Sequence, residues 1–155
     1  MNDEDTAGVI APPPLIFAIP LGVGLVLQRF QSARLGLPRV MARPLGLTLI
    51  ALGAYLGPAA FRSMRRSGTH PDPRTPAKAL VVVGPFRYSR NPLYLTMTLI
   101  YAGITLLANA RWPVIFLPSV LLVIRRGVID REERYLERRF GEEYREYKRQ
   151  VRRWI

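Results

Sequence analysis

Two stretches of the chain concentrate side chains that can do chemistry. The first is Gly84-Pro85-Phe86-Arg87-Tyr88-Ser89-Arg90-Asn91-Pro92-Leu93-Tyr94, with two prolines, two arginines and two tyrosines in eleven residues. The second, Asp130 to Tyr147, opens with Glu132 and Glu133 side by side and ends on Tyr144 and Tyr147. Arg87 and Arg90 share a face on a helical turn but not on an extended chain. Two guanidiniums beside a cavity can grip a carboxylate or phosphate bidentately; the competing role is to anchor a membrane interface. Adjacent glutamates point about 100° apart on a helix, so only one can share a face with Leu136 and Phe140. Glu133, three residues before Leu136 and seven before Phe140, is the expected one. Neither glutamate has a basic residue four positions on, where Leu136 and Glu137 stand, so helical ion pairing does not account for the pair. A solvated charged face is the plainer alternative.

Other chemistries are excluded. The chain has no cysteine, so it holds neither a disulfide nor a thiolate metal site. His70 alone cannot build a multi-histidine metal centre, and it reads as a loop residue. No metal site is expected. The net charge of +12 and a pI near 11.1 invite a nucleic-acid reading. Arginine also accumulates beside membrane spans, and the apolar runs decide for the membrane, with no nucleic-acid partner.

Those runs must position the two polar stretches. Pro12 to Leu27 carries no charge, and with its flanks it gives a first span near residues 9–29. A bilayer asks for roughly 20 apolar residues. Pro20, Gly22 and Gly24 suit a membrane helix packed on neighbours. The residues before it are acidic (Asp3, Glu4, Asp5), where a secretory signal would be basic; the span is therefore expected to be retained. The second span is expected near 44–61, with Gly46, Gly53 and Gly57 as a small-residue stripe for close helix contact. The prolines of the Arg62 to Ser89 connection, Pro71, Pro73 and Pro76, forbid a continuous helix. Within it, Leu80 to Val83 reads as a short strand or an extended apolar segment. The third and fourth spans, near 92–108 and 112–127, form a tight hairpin across Asn109-Ala110-Arg111, with Trp112 at the interface. Pro92 suits a first helical turn, where its missing N–H costs nothing.

From Arg125 onward the chain carries eleven of the 23 basic and seven of the 11 acidic residues. Ile129, Leu136, Phe140, Tyr144, Tyr147 and Val151 trace the apolar stripe of an amphipathic helix, which Gly141 interrupts or bends. The predicted architecture is all-α: one integral-membrane domain of about four transmembrane helices and a C-terminal amphipathic cytosolic helix. Four spans place the connection and the closing segment on one side, with 18 basic residues against five on the other. The positive-inside rule puts that side in the cytoplasm, as for a protein of a bacterial inner membrane.

The two polar blocks, in this order and separated by a two-span hairpin, resemble the isoprenylcysteine carboxyl methyltransferase family. That group of small integral-membrane methyltransferases includes phospholipid methyltransferases. The likeness runs from about Gly68 to Ile155. The family's first block usually reads Arg-His-Pro-x-Tyr; here Asn91 replaces the histidine, keeping a donor and an acceptor but losing titration. The arginine that often precedes the paired glutamates has Val128 in its place.

The resemblance implies S-adenosylmethionine bound without a Rossmann fold, between the segments 68–94 and 128–151, with a lipid or lipophilic small molecule entering from the bilayer. No G-x-G-x-x-G motif follows a strand. Carried over by motif position, the cofactor-site candidates are Gly84, Arg87, Tyr88, Arg90, Asn91, Pro92, Tyr94 and Glu133, followed by Glu132, Tyr144 and Tyr147. Glu133 and Arg90 are the expected catalytic pair. Arginine suits the cofactor's carboxylate, and tyrosine faces favour its cation by about 0.5–2 kcal/mol. A carboxylate acceptor needs no base. An amine acceptor must lose a proton, which Glu133 or Glu132 can take. Two other readings compete: a membrane reductase using NADPH, and a non-catalytic membrane protein whose basic face binds anionic lipid.

Overall fold

The computed structural model describes residues 6–31, 34–72 and 75–155. Asp3, Glu4 and Asp5 of the acidic lead, and Pro73 and Arg74 of the connection, lie outside them. Among the described residues six α-helices follow in order: α1 (Pro13–Phe30), α2 (Arg39–Arg66), α3 (Pro92–Leu107), α4 (Arg111–Ile124), α5 (Asp130–Phe140) and α6 (Glu142–Gln150). No strand occurs among the described residues beyond an isolated bridge between Arg34 and Ala110. A π-helical turn, Arg125–Ile129, joins α4 to α5, making one helix from Arg111 to Phe140. That helix, α1 and α2 are each long and apolar enough to cross a membrane, and α3 is a shorter apolar helix. The protein is an all-α integral-membrane bundle.

Proline shapes these helices without breaking them. Pro13 and Pro92 occupy first turns, while Pro20, Pro44, Pro58 and Pro118 lie inside helices. Neighbouring helices in a membrane can offset the lost backbone bonds. Helix α2 runs beyond the expected span at both ends, from Arg39 through Arg66. Its charged last turn stays helical because arginine is a good helix former.

The glycine stripe on α2 meets α3. A Cβ at Gly53 would lie 2.7 Å from Ile100, one at Gly57 would lie 3.0 Å from Thr96, and one at Gly46 would lie 2.9 Å from the Gly103 carbonyl oxygen. Small residues let the two backbones approach, so packing rather than hydrophobicity holds the pair in lipid. Helix α1 lies on α4, with Gly24 against Pro113. Phe17, Tyr94, Tyr101, Val120, Ile124, Val128 and Ile129 form the main core. Within it, the Tyr101 hydroxyl donates to the Pro113 carbonyl at 2.9 Å.

At one end the connection between α2 and α3 folds over α5. Leu80 to Val83 is an extended segment rather than a strand, with Val81 buried against Ala60 and Phe86. Thr69 and Ala79 close its loop: Thr69 Oγ1 donates to the Ala79 carbonyl at 2.8 Å, and the Ala79 N–H returns to Thr69 Oγ1 at 3.1 Å. The Ala77 N–H donates to the Tyr135 hydroxyl at 2.9 Å, and Arg139 donates to the Ala77 carbonyl. The closing amphipathic stretch is two helices, not one. Gly141 sits at φ 53, ψ −122, a conformation glycine adopts at little steric cost, and it turns α6 back onto the first polar block.

Candidate active site

The first block is built to present side chains in two directions. Gly84–Arg87 forms a single 3-10 turn. Gly84 has a positive φ of 62, and a Cβ there would run into Ser63 Oγ, so the turn is pressed against α2. The chain then enters α3 at Asn91, with Pro92 as the first helical residue. Phe86 is buried, while Arg87 and Tyr88 point away, Tyr88 being 76% exposed.

A cavity of about 130 Å³ lies beneath the connection. Arg90, Asn91, Pro92 and Tyr94 line it from the first block; Glu132, Tyr144 and Tyr147 line it from the closing helices. Thr69, His70 and Thr75 line it from the connection. Seven of the candidates drawn from the sequence therefore meet in one place. Gly84, Arg87, Tyr88 and Glu133 do not line it.

The assignment of the two glutamates is reversed. Glu132 faces the cavity with Leu136, and Glu133 faces a polar cleft with Asp130 and Arg153. The helix explains this: residues four apart are offset by about 40°, residues three apart by about 60°. Glu132 is therefore the closer match to Leu136. The π-helical turn also shifts the phase of α5 relative to α4.

Short hydrogen bonds fix the cavity wall. The Tyr94 hydroxyl donates to Glu132 Oε1 at 2.6 Å, and the Tyr147 hydroxyl donates to the Phe86 carbonyl at 2.6 Å. Asn91 Nδ2 donates to the Arg153 carbonyl at 3.0 Å, and the Arg90 N–H donates to the Arg152 carbonyl at 3.0 Å. Tyr147→Phe leaves the Phe86 carbonyl without this donor; the expected loss is about 1–3 kcal/mol, read as a lower unfolding midpoint in detergent.

The electrostatics separate the acids. Burial pushes the Glu132 carboxyl up to about 7, the Tyr94 hydrogen bond pulls it partly back, and the adjacent Glu133 carboxylate pushes it up again. Glu132 belongs to the charged α5, beyond the apolar part of its long helix. Glu133 is neutralised: Arg153 grips it at 3.1 and 2.6 Å, and Arg90 Nη1 lies 3.2 Å from its Oε1. Burial raises the phenols of Tyr144 and Tyr147, so both stay protonated hydrogen-bond donors. Arg90 Nε and Nη1 are buried with no aligned hydrogen bond. A half-partnered cation, a carboxyl that titrates near neutrality and two tyrosine rings thus share one cavity. The set fits a ligand bearing both a carboxylate and a positive charge.

Sequence reasoning placed Leu136 on the right face but missed Tyr135 and Arg153. Leu136 belongs to the apolar stripe of α5, so its place was readable from phase; Tyr135, one residue before it, is off that stripe. Nothing in the spacing of Arg153, twenty residues after Glu133, points to its partner.

Residues 41–143 match the family model for phospholipid methyltransferase. An uncharacterized protein of Haemophilus influenzae is 46% identical over 63 residues, covering 41% of this chain and the whole of that relative. No solved structure matches. With the family match covering more than half of the chain, and both polar blocks converging at one end of the bundle, the chain belongs to the phospholipid methyltransferase family of isoprenylcysteine-methyltransferase-like membrane methyltransferases.

Proposed function

We propose that the protein transfers a methyl group from S-adenosylmethionine to an amine on a lipophilic acceptor, at the cavity between the connection and α5–α6. The observation that carries this reading is the pairing of Glu132 with Tyr94 in the same cavity as the half-partnered Arg90. When bound, the cofactor supplies an electrophilic methyl group on a sulfonium. Arg90 would hold its carboxylate. Tyr144 and Tyr147 supply ring faces and hydroxyl donors around it. Glu133 fixes Arg90 from behind instead of touching the ligand. Gly84 shapes the turn, and Arg87 and Tyr88 face the lipid headgroups.

The amine is preferred over a carboxylate acceptor because of Glu132. An ionised carboxylate substrate would be repelled by a second one and needs no base. An ammonium substrate is attracted, gives its proton to Glu132 and presents a lone pair. The bound cofactor would supply the methyl group to that lone pair, and positioning by the cavity would supply much of the acceleration. The arginine-rich end of the bundle is proposed to face the cytoplasm of a bacterial inner membrane, following the excess of basic residues there.

Ligand-induced stabilisation of the detergent-purified chain tests the cofactor. S-adenosylhomocysteine raises the melting temperature and NADPH does not. A response to NADPH alone supports a reductase, and a response to neither leaves lipid binding. Extracts incubated with labelled methyl donor then show whether label enters amine-bearing lipids.

A further inference from the structure

Residues 151–155 lie against the first polar block, although the family match ends at residue 143. They are held there by the Arg152 and Arg153 carbonyls, which accept from Arg90 and Asn91, and by Trp154, which packs on the main core. The Arg153 side chain then reaches α5. Its Nε and Nη2 take both oxygens of Glu133 at 3.1 and 2.6 Å, and its Nη1 lies 2.9 Å from Asp130 Oδ1.

This arrangement decides what Arg90 can do. Glu133 is buried, with a side-chain exposure of 10%, and Arg90 with 11% is its other cationic neighbour. A guanidinium and a carboxylate this close ordinarily form a two-bond fork. Arg153 already occupies that fork. Arg90 keeps a single ion pair, Nη1 to Oε1 at 3.2 Å without an aligned hydrogen bond, its Nε makes none, and the residue lines the cavity.

We infer that Arg153 is a positioning residue: by taking the Glu133 fork it limits Glu133 to one contact with Arg90 and leaves the rest of that guanidinium to an anionic group in the cavity. The inference rests on the proposed cofactor reading, in which that group is the cofactor's carboxylate. Without Arg153, Glu133 is released to form the fork with Arg90 and quench it. Neutralising Glu133 as well removes the competing charge.

The test is calorimetric binding of S-adenosylhomocysteine and of its decarboxylated analogue to the full chain in detergent. Arg153→Ala weakens S-adenosylhomocysteine by about tenfold or more, the worth of one charged hydrogen bond. It leaves the decarboxylated analogue nearly unchanged. Adding Glu133→Gln to that variant restores most of the lost affinity, and Arg153→Lys, a point charge without the fork, falls between. Equal weakening of both ligands, or no rescue by the second substitution, overturns the inference and leaves Arg153 a structural residue. Should the Arg153→Ala chain fail to fold, Arg153→Lys and the double variant carry the same comparison. A wild-type chain that binds neither ligand overturns the cofactor reading, and this inference with it.

Discussion

Glu132→Gln lowers kcat by about two to four orders of magnitude, the usual worth of a positioned general base. Glutamine keeps the shape and still accepts the Tyr94 hydroxyl, which donates to Oε1 at 2.6 Å, but it cannot take a proton. The wild-type rate rises as pH climbs through about 7, where Glu132 loses its proton, and it levels off above. The variant lacks that limb. Stability moves the other way. The Glu132 carboxyl is raised from 4.5 to about 7, chiefly by burial, so the folded state holds the proton more tightly than the unfolded chain. That contribution is full below the unfolded value and is lost as pH rises through the folded one. A neutral glutamine escapes the loss. Glu132→Gln is therefore the more stable protein above neutrality, and the difference closes on acidification. Thermal unfolding and labelled-methyl assays across pH check both halves. A variant that is slower and also less stable at alkaline pH contradicts the assignment.

Gly103→Leu is expected to break the bundle. A Cβ at Gly103 would lie 2.7 Å from the Gly46 carbonyl oxygen and 2.6 Å from Ile50 Cγ1. A flexible side chain can move aside, but a backbone carbonyl inside a helix cannot move without carrying the helix. The α2–α3 contact must open along its length, and the connection that roofs the cavity leaves α2 at Arg66. Overpacking of this kind costs about 3 kcal/mol or more, and a helix pair in lipid has no hydrophobic term to offset it. Unfolding in detergent reports the loss, accompanied by loss of S-adenosylhomocysteine binding. Leu47→Ala, on an exposed position of α2, serves as the tolerant comparison.

The sequence alone determined that this chain belongs in a membrane and where its polar, ring-bearing side chains concentrate. Uncharged runs of bilayer length admit little else, because backbone polar groups in lipid must bond within their own helix. The glycines of α2 announced a close contact, since only small residues permit one. Proline positions marked the start of α3 and the broken connection. Arg90, Asn91, Tyr94, Tyr144 and Tyr147 were legible as a set because two distant blocks resembled one family.

The tertiary structure alone decided which atoms face the cavity. Glu132 and Glu133 differ by one residue, and helix phase, altered by the π-helical turn before α5, sends one to the cavity and the other to the clamp. Arg153 gains its importance from a partner twenty residues away that periodicity cannot connect to it. Sequence patterns encode which face of a helix is apolar, whereas the pairing of charges depends on where helices cross and on which competitor reaches a carboxylate first. That choice is made only when the whole chain has packed.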